Sequence, residues 1–148
     1  REIRNFQRKE DCPERLQAAI QIWADSRPEA KLRSISGVYN CMGMVFGVRR
    51  TVIEITEIQD ILAGDNYRLL TNPGECFEGD IVLYKNVRRV YQHVGIIFKI
   101  HRKIENGEID FTILSKWGFD CEYLHKLKYV PEIYGSSIEF WTERRKVK

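Results

Sequence analysis

The sequence predicts an α+β fold, with N-terminal helices packed on an antiparallel β-sheet, and three observations carry that expectation. Helical periodicity is confined to the segment before Asp65, strand-like alternation begins after Pro73-Gly74, and Asn106-Gly107 forms a turn signal between two of the strand-like runs. Helices followed by a meander of strands point to α+β, because βαβ units would interleave the two periods along the chain.

The first helix is expected over Pro13 to Asp25, where Leu16, Ala19, Ile20 and Trp23 recur at helical spacing between Pro13 at the start and Pro28 past the end. Gly37 breaks the chain. Cys41 to Val48 then sets Met42, Val45 and Phe46 on one side with Gly43 and Gly47 between them, which reads as a short buried helix opening at Cys41. Ile55, Ile58 and Leu62 mark a further helix that stops before Ala63-Gly64-Asp65. Strands are expected at Gly79 to Tyr84, Val94 to Ile100, Phe111 to Ser115 and, near the C-terminus, Ser137 to Trp141. No repeat or linker divides the chain, so residues 1–148 form a single domain.

Composition narrows the function classes. With 148 residues, of which 43% are hydrophobic and 11% aromatic, the chain can bury one sizeable core, which excludes disordered and collagen-like classes. The net charge of +3 arises from 24 basic and 21 acidic residues, too even a balance for a nucleic-acid footprint. Only Glu143-Arg144-Arg145-Lys146-Val147-Lys148 is locally basic, and it reads as a solvated terminus. No apolar run approaches the roughly 18 residues of a membrane helix, and the charged first residues do not read as a signal peptide. A cytoplasmic location is favoured on that basis, although the chain opens at Arg1 rather than Met and leaves an upstream signal or domain open.

Cys12, Cys41, Cys76 and Cys121 lie 29, 35 and 45 residues apart, with none of the close pairs that structural zinc sites use, so no metal is expected and no cofactor is implied. A disulfide framework is unnecessary for a domain with this much core, and the four read mostly as free thiols in a reducing compartment. Cys41 differs from the others in its context. Tyr39-Asn40-Cys41-Met42-Gly43 places a thiol where a loop enters a helix, a position that favours thiolate, and His93 opens a later strand 52 residues on. Alone, such a cysteine is most simply a structural one. Its place ahead of two further segments is more informative.

The succession Cys41-Met42-Gly43, then Gly79-Asp80-Ile81-Val82-Leu83-Tyr84, then His93-Val94-Gly95-Ile96 resembles the NlpC-type cysteine peptidases and their CHAP amidase relatives, over roughly Tyr39 to Ser115. The resemblance implies a papain-like fold in which Cys41 is the nucleophile and His93 the general base. Asn40 and Met42 stand where the family commonly has Asp and Ser, and the lipid acyltransferases of the superfamily carry histidine before cysteine, the reverse of the order here. In the family a polar residue on the strand after the histidine strand orients the imidazole. The matching stretch, Ile113-Leu114-Ser115-Lys116-Trp117-Gly118, offers Ser115, with His125 as its competitor. The backbone N–H of Cys41 is the natural oxyanion donor and the Tyr39 hydroxyl a second candidate; Trp117 is a candidate wall for substrate, Lys116 is expected to point away from the site, and His101 is expected at the surface. The resulting expectation is a cysteine hydrolase (a thiol peptidase or amidase) acting on a peptide, peptidoglycan or modified-protein amide. The alternative is an inactive papain-like module used for binding or regulation.

Overall fold

The computed structural model of the chain describes residues 2–146. Among these residues, three α-helices and a seven-stranded, wholly antiparallel sheet make up the fold. Helix α1 spans Pro13–Ser26, β1 Lys31–Ile35, α2 Cys41–Phe46, α3 Ile58–Gly64 and β2 Arg68–Leu70; β3 spans Ile81–Lys85, β4 Tyr91–Arg102, β5 Ile109–Lys116, β6 Cys121–Lys126 and β7 Ser137–Thr142. The strands lie in the order β1-β6-β5-β4-β3-β7-β2. The three expected helices and four expected strands are all present. Three further strands, β1, β2 and β6, go beyond the sequence expectation: β2 has three residues and β1 an exposed, charge-rich face, so neither shows a clean alternation.

Two different layers cover the sheet. On one side, α2 and α3 pack Met42, Ile58, Ile61 and Leu62 against Ile81, Leu83 and Val94, each nearly or wholly buried. A fully buried aliphatic side chain of this kind contributes roughly 1.5–3 kcal/mol relative to exposure. On the other side, Val82, Tyr84, Ile97 and Ile113 meet Val130, Phe140 and Tyr134, while Trp117, Cys121 and Tyr123 pack on Ile20 and Trp23 of α1. The strap between β6 and β7, residues 127–136, therefore belongs to the second layer together with α1.

Local chemistry explains the joints. Gly43 has no room for a side chain, since a Cβ there would lie 1.8 Å from the Thr51 carbonyl oxygen. Asn40 caps α2: its Oδ1 accepts from the Gly43 N–H at 2.9 Å, and its Nδ2 donates to the Ile53 carbonyl at 2.8 Å. Asp80 of the Gly-Asp strand start accepts from the Phe77 N–H at 2.8 Å and pairs with the Arg144 guanidinium at 2.6 Å. Arg144 thus belongs to a clamp that closes the end of the sheet, which corrects the reading of the basic segment as merely solvated; Val147 and Lys148 of that segment lie outside the described residues. No helix among the described residues is long and apolar enough to cross a membrane.

Candidate functional site

Cys41 is the first residue of α2, as the sequence predicts, and it is buried at 9% exposure among Ile81, Leu83 and Val94. Burial pushes its thiol up to about 11, against the backbone N–H groups of Val94, Met42 and Cys41 itself, which favour the thiolate. The expectation of a thiol already ionised at neutral pH therefore fails for this closed arrangement. Desolvation outweighs the helix start.

His93 lies one residue before Val94 on β4 and is fully buried. It pairs across the sheet with Tyr84, whereas Val94 pairs with Leu83, so strand alternation sends the His93 ring to the strap side and Val94 to the α2 side. The imidazole stacks on Tyr134 of the strap, with ring centroids 4.0 Å apart and planes 5° from parallel, and tilts against Tyr84 at 5.4 Å. Burial, reinforced by electrostatic contact with His125, holds it well below the usual histidine range, so it is a neutral base at pH 7. Neither ring nitrogen has a hydrogen-bond partner among the described residues, and no Cys41–His93 hydrogen bond is formed in this arrangement. The two side chains lie on opposite faces of β4, the Cys41 sulfur at the N–H of Val94 on the α2 side and the His93 ring under Tyr134 on the strap side, so the expected contact between nucleophile and base is not made in this arrangement.

Ser115 and His125, rivals for the third position in the sequence, are partners in the structure. The His125 Nδ1 lies 2.7 Å from the Lys126 carbonyl and must carry the proton, so Nε2 accepts from the Ser115 hydroxyl at 2.5 Å. Both are buried on the strap side of the sheet, and burial lowers His125 to about 4. Neither is hydrogen-bonded to His93. Trp117 is fully buried between Trp23 at 5.0 Å and Tyr123 at 4.6 Å, so it forms core rather than an open wall. Lys116 turns to the opposite side from Ser115, which is the side of Cys41 and Tyr39 rather than away from the site, and is buried there, donating to the Ser36 and Asp120 carbonyls over the Tyr39 ring.

The Tyr39 hydroxyl donates to Glu122, which also holds Arg49 at 2.7 and 3.2 Å. That bond commits the hydroxyl to a clamp, in place of the oxyanion role expected for it. The clamp has its own use, because Val48 and Arg49 both adopt left-handed backbone, at φ 55° and 60°, and the Arg49–Glu122 pair secures the turn that closes α2. His101 is exposed. All four cysteines are free, Cys12 exposed and Cys41, Cys76 and Cys121 buried.

Sequence reasoning missed Tyr134 and Glu122. Tyr134 sits in a short 3-10 turn, Glu132–Tyr134, with no periodicity to flag it; its signal was the following Gly135, at φ +90°, where a Cβ would lie 2.0 Å from the Lys85 carbonyl oxygen. That close approach pins the strap to the end of β3 immediately after Tyr134. Comparison with protein-family models, curated proteins and solved structures finds no match.

Proposed function

We propose that the protein is a cysteine hydrolase of papain-like, NlpC-type organisation, resting in a closed state, that cleaves an amide through Cys41 and His93. One observation carries the reading: a fully buried imidazole with both nitrogens unpartnered lies one residue from the strand N–H that holds a helix-start cysteine sulfur. A buried polar group without a partner costs about 1–3 kcal/mol, and structural histidines are normally spared that cost by a hydrogen bond, as His125 is. Such a cost is tolerated where the group has work to do.

In the reaction, which requires the His93 ring to leave the strap face of β4 and reach the sulfur on the α2 face, the imidazole takes the Cys41 proton and the sulfur attacks the amide carbonyl carbon. The tetrahedral oxyanion is stabilised by the backbone N–H of Cys41 at the start of α2. Collapse breaks the C–N bond, and the imidazolium gives its proton to the departing amine. Water, deprotonated by His93, then attacks the thioester and releases the carboxylate and the free thiol. Ser115 and His125 act behind His93 as a neutral, hydrogen-bonded pair. Peptide, peptidoglycan and modified-protein amides all present the required carbonyl.

A second reading, an inactive module for binding or regulation, is favoured by the closure: neither Cys41 nor His93 lines any of four crevices of about 210 to 470 Å3. Reaction with the epoxide inhibitor E-64 separates the two, because ring opening needs an activated thiol and an acid beside it. One equivalent on Cys41 in the native protein, lost in His93→Ala, supports the hydrolase. No addition to Cys41, while exposed Cys12 still reacts with iodoacetamide, supports the module.

A further inference from the structure

Lys116 is fully buried, a rare place for a lysine without an ion pair, and among the described residues it forms none. Its ammonium is held by the Ser36 carbonyl, by the Asp120 carbonyl at 3.0 Å and by the Tyr39 ring, whose centroid is 4.5 Å away. The carboxylates around it are committed elsewhere. Glu122 on β6 binds Tyr39 and Arg49, Asp120 in the β5–β6 turn binds Trp23 and Arg15, and Glu10 of the N-terminal segment binds the Gly37 N–H and the Ser36 hydroxyl. Burial lowers Lys116 to about 8, so most molecules still carry the charge at pH 7.

Strand register brings that charge to the thiol. β4 and β5 pair as Ile97↔Ile113 and Ile96↔Leu114, and the same register continued by two residues sets Val94 opposite Lys116. Side chains directly opposite on antiparallel strands share a face, with Cβ atoms roughly 4.5–5.5 Å apart. Val94 is the residue whose N–H holds the Cys41 sulfur, and Tyr39, beneath the ammonium, stands two residues before Cys41 on the loop entering α2. Against the burial that raises the thiol, the Lys116 charge acts to lower it. The α2 face therefore carries both the sulfur and a cation, while His93 lies on the other face.

We propose that Lys116 is a positioning residue of the Cys41 centre, whose ammonium stabilises the thiolate from the same face of the sheet while His93 moves the protons. The inference rests on the hydrolase reading. Thiol and ammonium then titrate as a pair: losing one proton gives thiolate with ammonium, in equilibrium with thiol and free amine. Those two forms hold the same number of protons, so the thiolate fraction rises with pH until that proton is lost, near 8, and then levels.

The test is the rate of Cys41 alkylation by iodoacetamide in the full chain from pH 6 to 10, read by peptide mass spectrometry, for wild type, Lys116→Met and Lys116→Arg. Methionine fills the space without charge and suits a buried position, and thermal unfolding confirms that each variant is folded. The wild-type curve should level above about pH 8. Lys116→Met should rise without a break and lie at least about 10-fold below wild type at pH 7, since one opposite charge within about 4–6 Å is worth roughly 1–3 pH units. Lys116→Arg keeps the charge at every pH, so it should match wild type at pH 7 and rise past it above pH 8; should it fail to fold, the other two curves decide. A Lys116→Met rate within about 3-fold of wild type at pH 7 overturns the role, and so does a slower Lys116→Met protein beside a wild-type curve that never levels, which marks a packing effect. Either result leaves the hydrolase standing if E-64 addition to Cys41 is still lost in His93→Ala. No E-64 addition to Cys41 in wild type removes the hydrolase reading and the role of Lys116 with it.

Discussion

Replacing Tyr134 with alanine removes the ring stacked 4.0 Å over His93 and opens the strap side of the site to water. The Cys41 thiol is held at about 11 chiefly by burial, so only about one molecule in ten thousand is thiolate at pH 7. A cysteine relieved of that desolvation titrates near ~8.5, where a few per cent is thiolate at pH 7, so the ceiling on the gain is about 300-fold. Partial opening should deliver at least about 10-fold in the rate of Cys41 alkylation by iodoacetamide, read by peptide mass spectrometry across pH 6–10. Loss of the half-buried ring costs about 2 kcal/mol, within the ~5–15 kcal/mol that holds a domain together, and urea unfolding confirms that the variant is folded. Tyr134→Phe keeps the stack and loses only the bond from the Gly118 N–H, at 2.9 Å, so it should behave like the parent. A folded Tyr134→Ala protein whose Cys41 reacts no faster than the parent's would refute the claim that this ring closes the site.

Three further outcomes are expected from the geometry. Both buried histidines have folded-state values below their unfolded value near 6.5, so the unfolded chain binds more protons on acidification and stability falls as the pH drops below that value; His125, at about 4, accounts for about 2 kcal/mol between pH 7 and 5, and His93 acts in the same direction. Urea unfolding at the two pH values measures the loss, which His125→Gln should reduce, and a flat profile contradicts it. Gly43→Ala drives a Cβ into the Thr51 carbonyl oxygen and is expected to cost about 3 kcal/mol or to displace α2, seen as a fall in thermal midpoint; a change within about 0.5 kcal/mol contradicts the packing described. Glu122→Gln weakens the hold on Arg49 and Tyr39, and the turn at Val48 and Arg49 should show faster amide exchange while β4 stays protected; unchanged exchange there would mean that the clamp does not secure the turn.

The sequence was most legible where a periodic pattern met a sharp boundary. Pro13 and Pro28 bracketed α1, and Asn106-Gly107 marked the β4–β5 connection, with Gly107 at φ +71°. The start of α2 at Cys41 was legible because a loop residue that caps a helix, Asn40, precedes an apolar run closed by Gly47. Less visible were contacts that join distant segments. Nothing in the alternation of β6 marks Glu122 as the acceptor for both Tyr39 and Arg49, more than 70 residues away in sequence. Ser115 and His125 could be named from chemistry, yet only the pairing of β5 with β6 makes them partners. The thiol's state was not legible because helix position is local and readable, whereas burial is a property of the packed whole. Tyr134 lay in a strap without periodicity, marked only by Gly135 where the backbone closes on the Lys85 carbonyl.

The central claim, that Cys41 is a nucleophile served by His93, is tested most directly by trapping the acyl-enzyme. Mixing the full chain with excess 4-nitrophenyl acetate should give a burst of nitrophenol, with one acetyl group found on Cys41 by intact-mass and peptide analysis before turnover. His93→Ala should lose at least about 100-fold of the burst rate, as removal of a general base does, and Cys41→Ala should show no burst at all. A burst that persists in Cys41→Ala, or acetylation of Cys41 at the same rate with and without His93, would contradict the account.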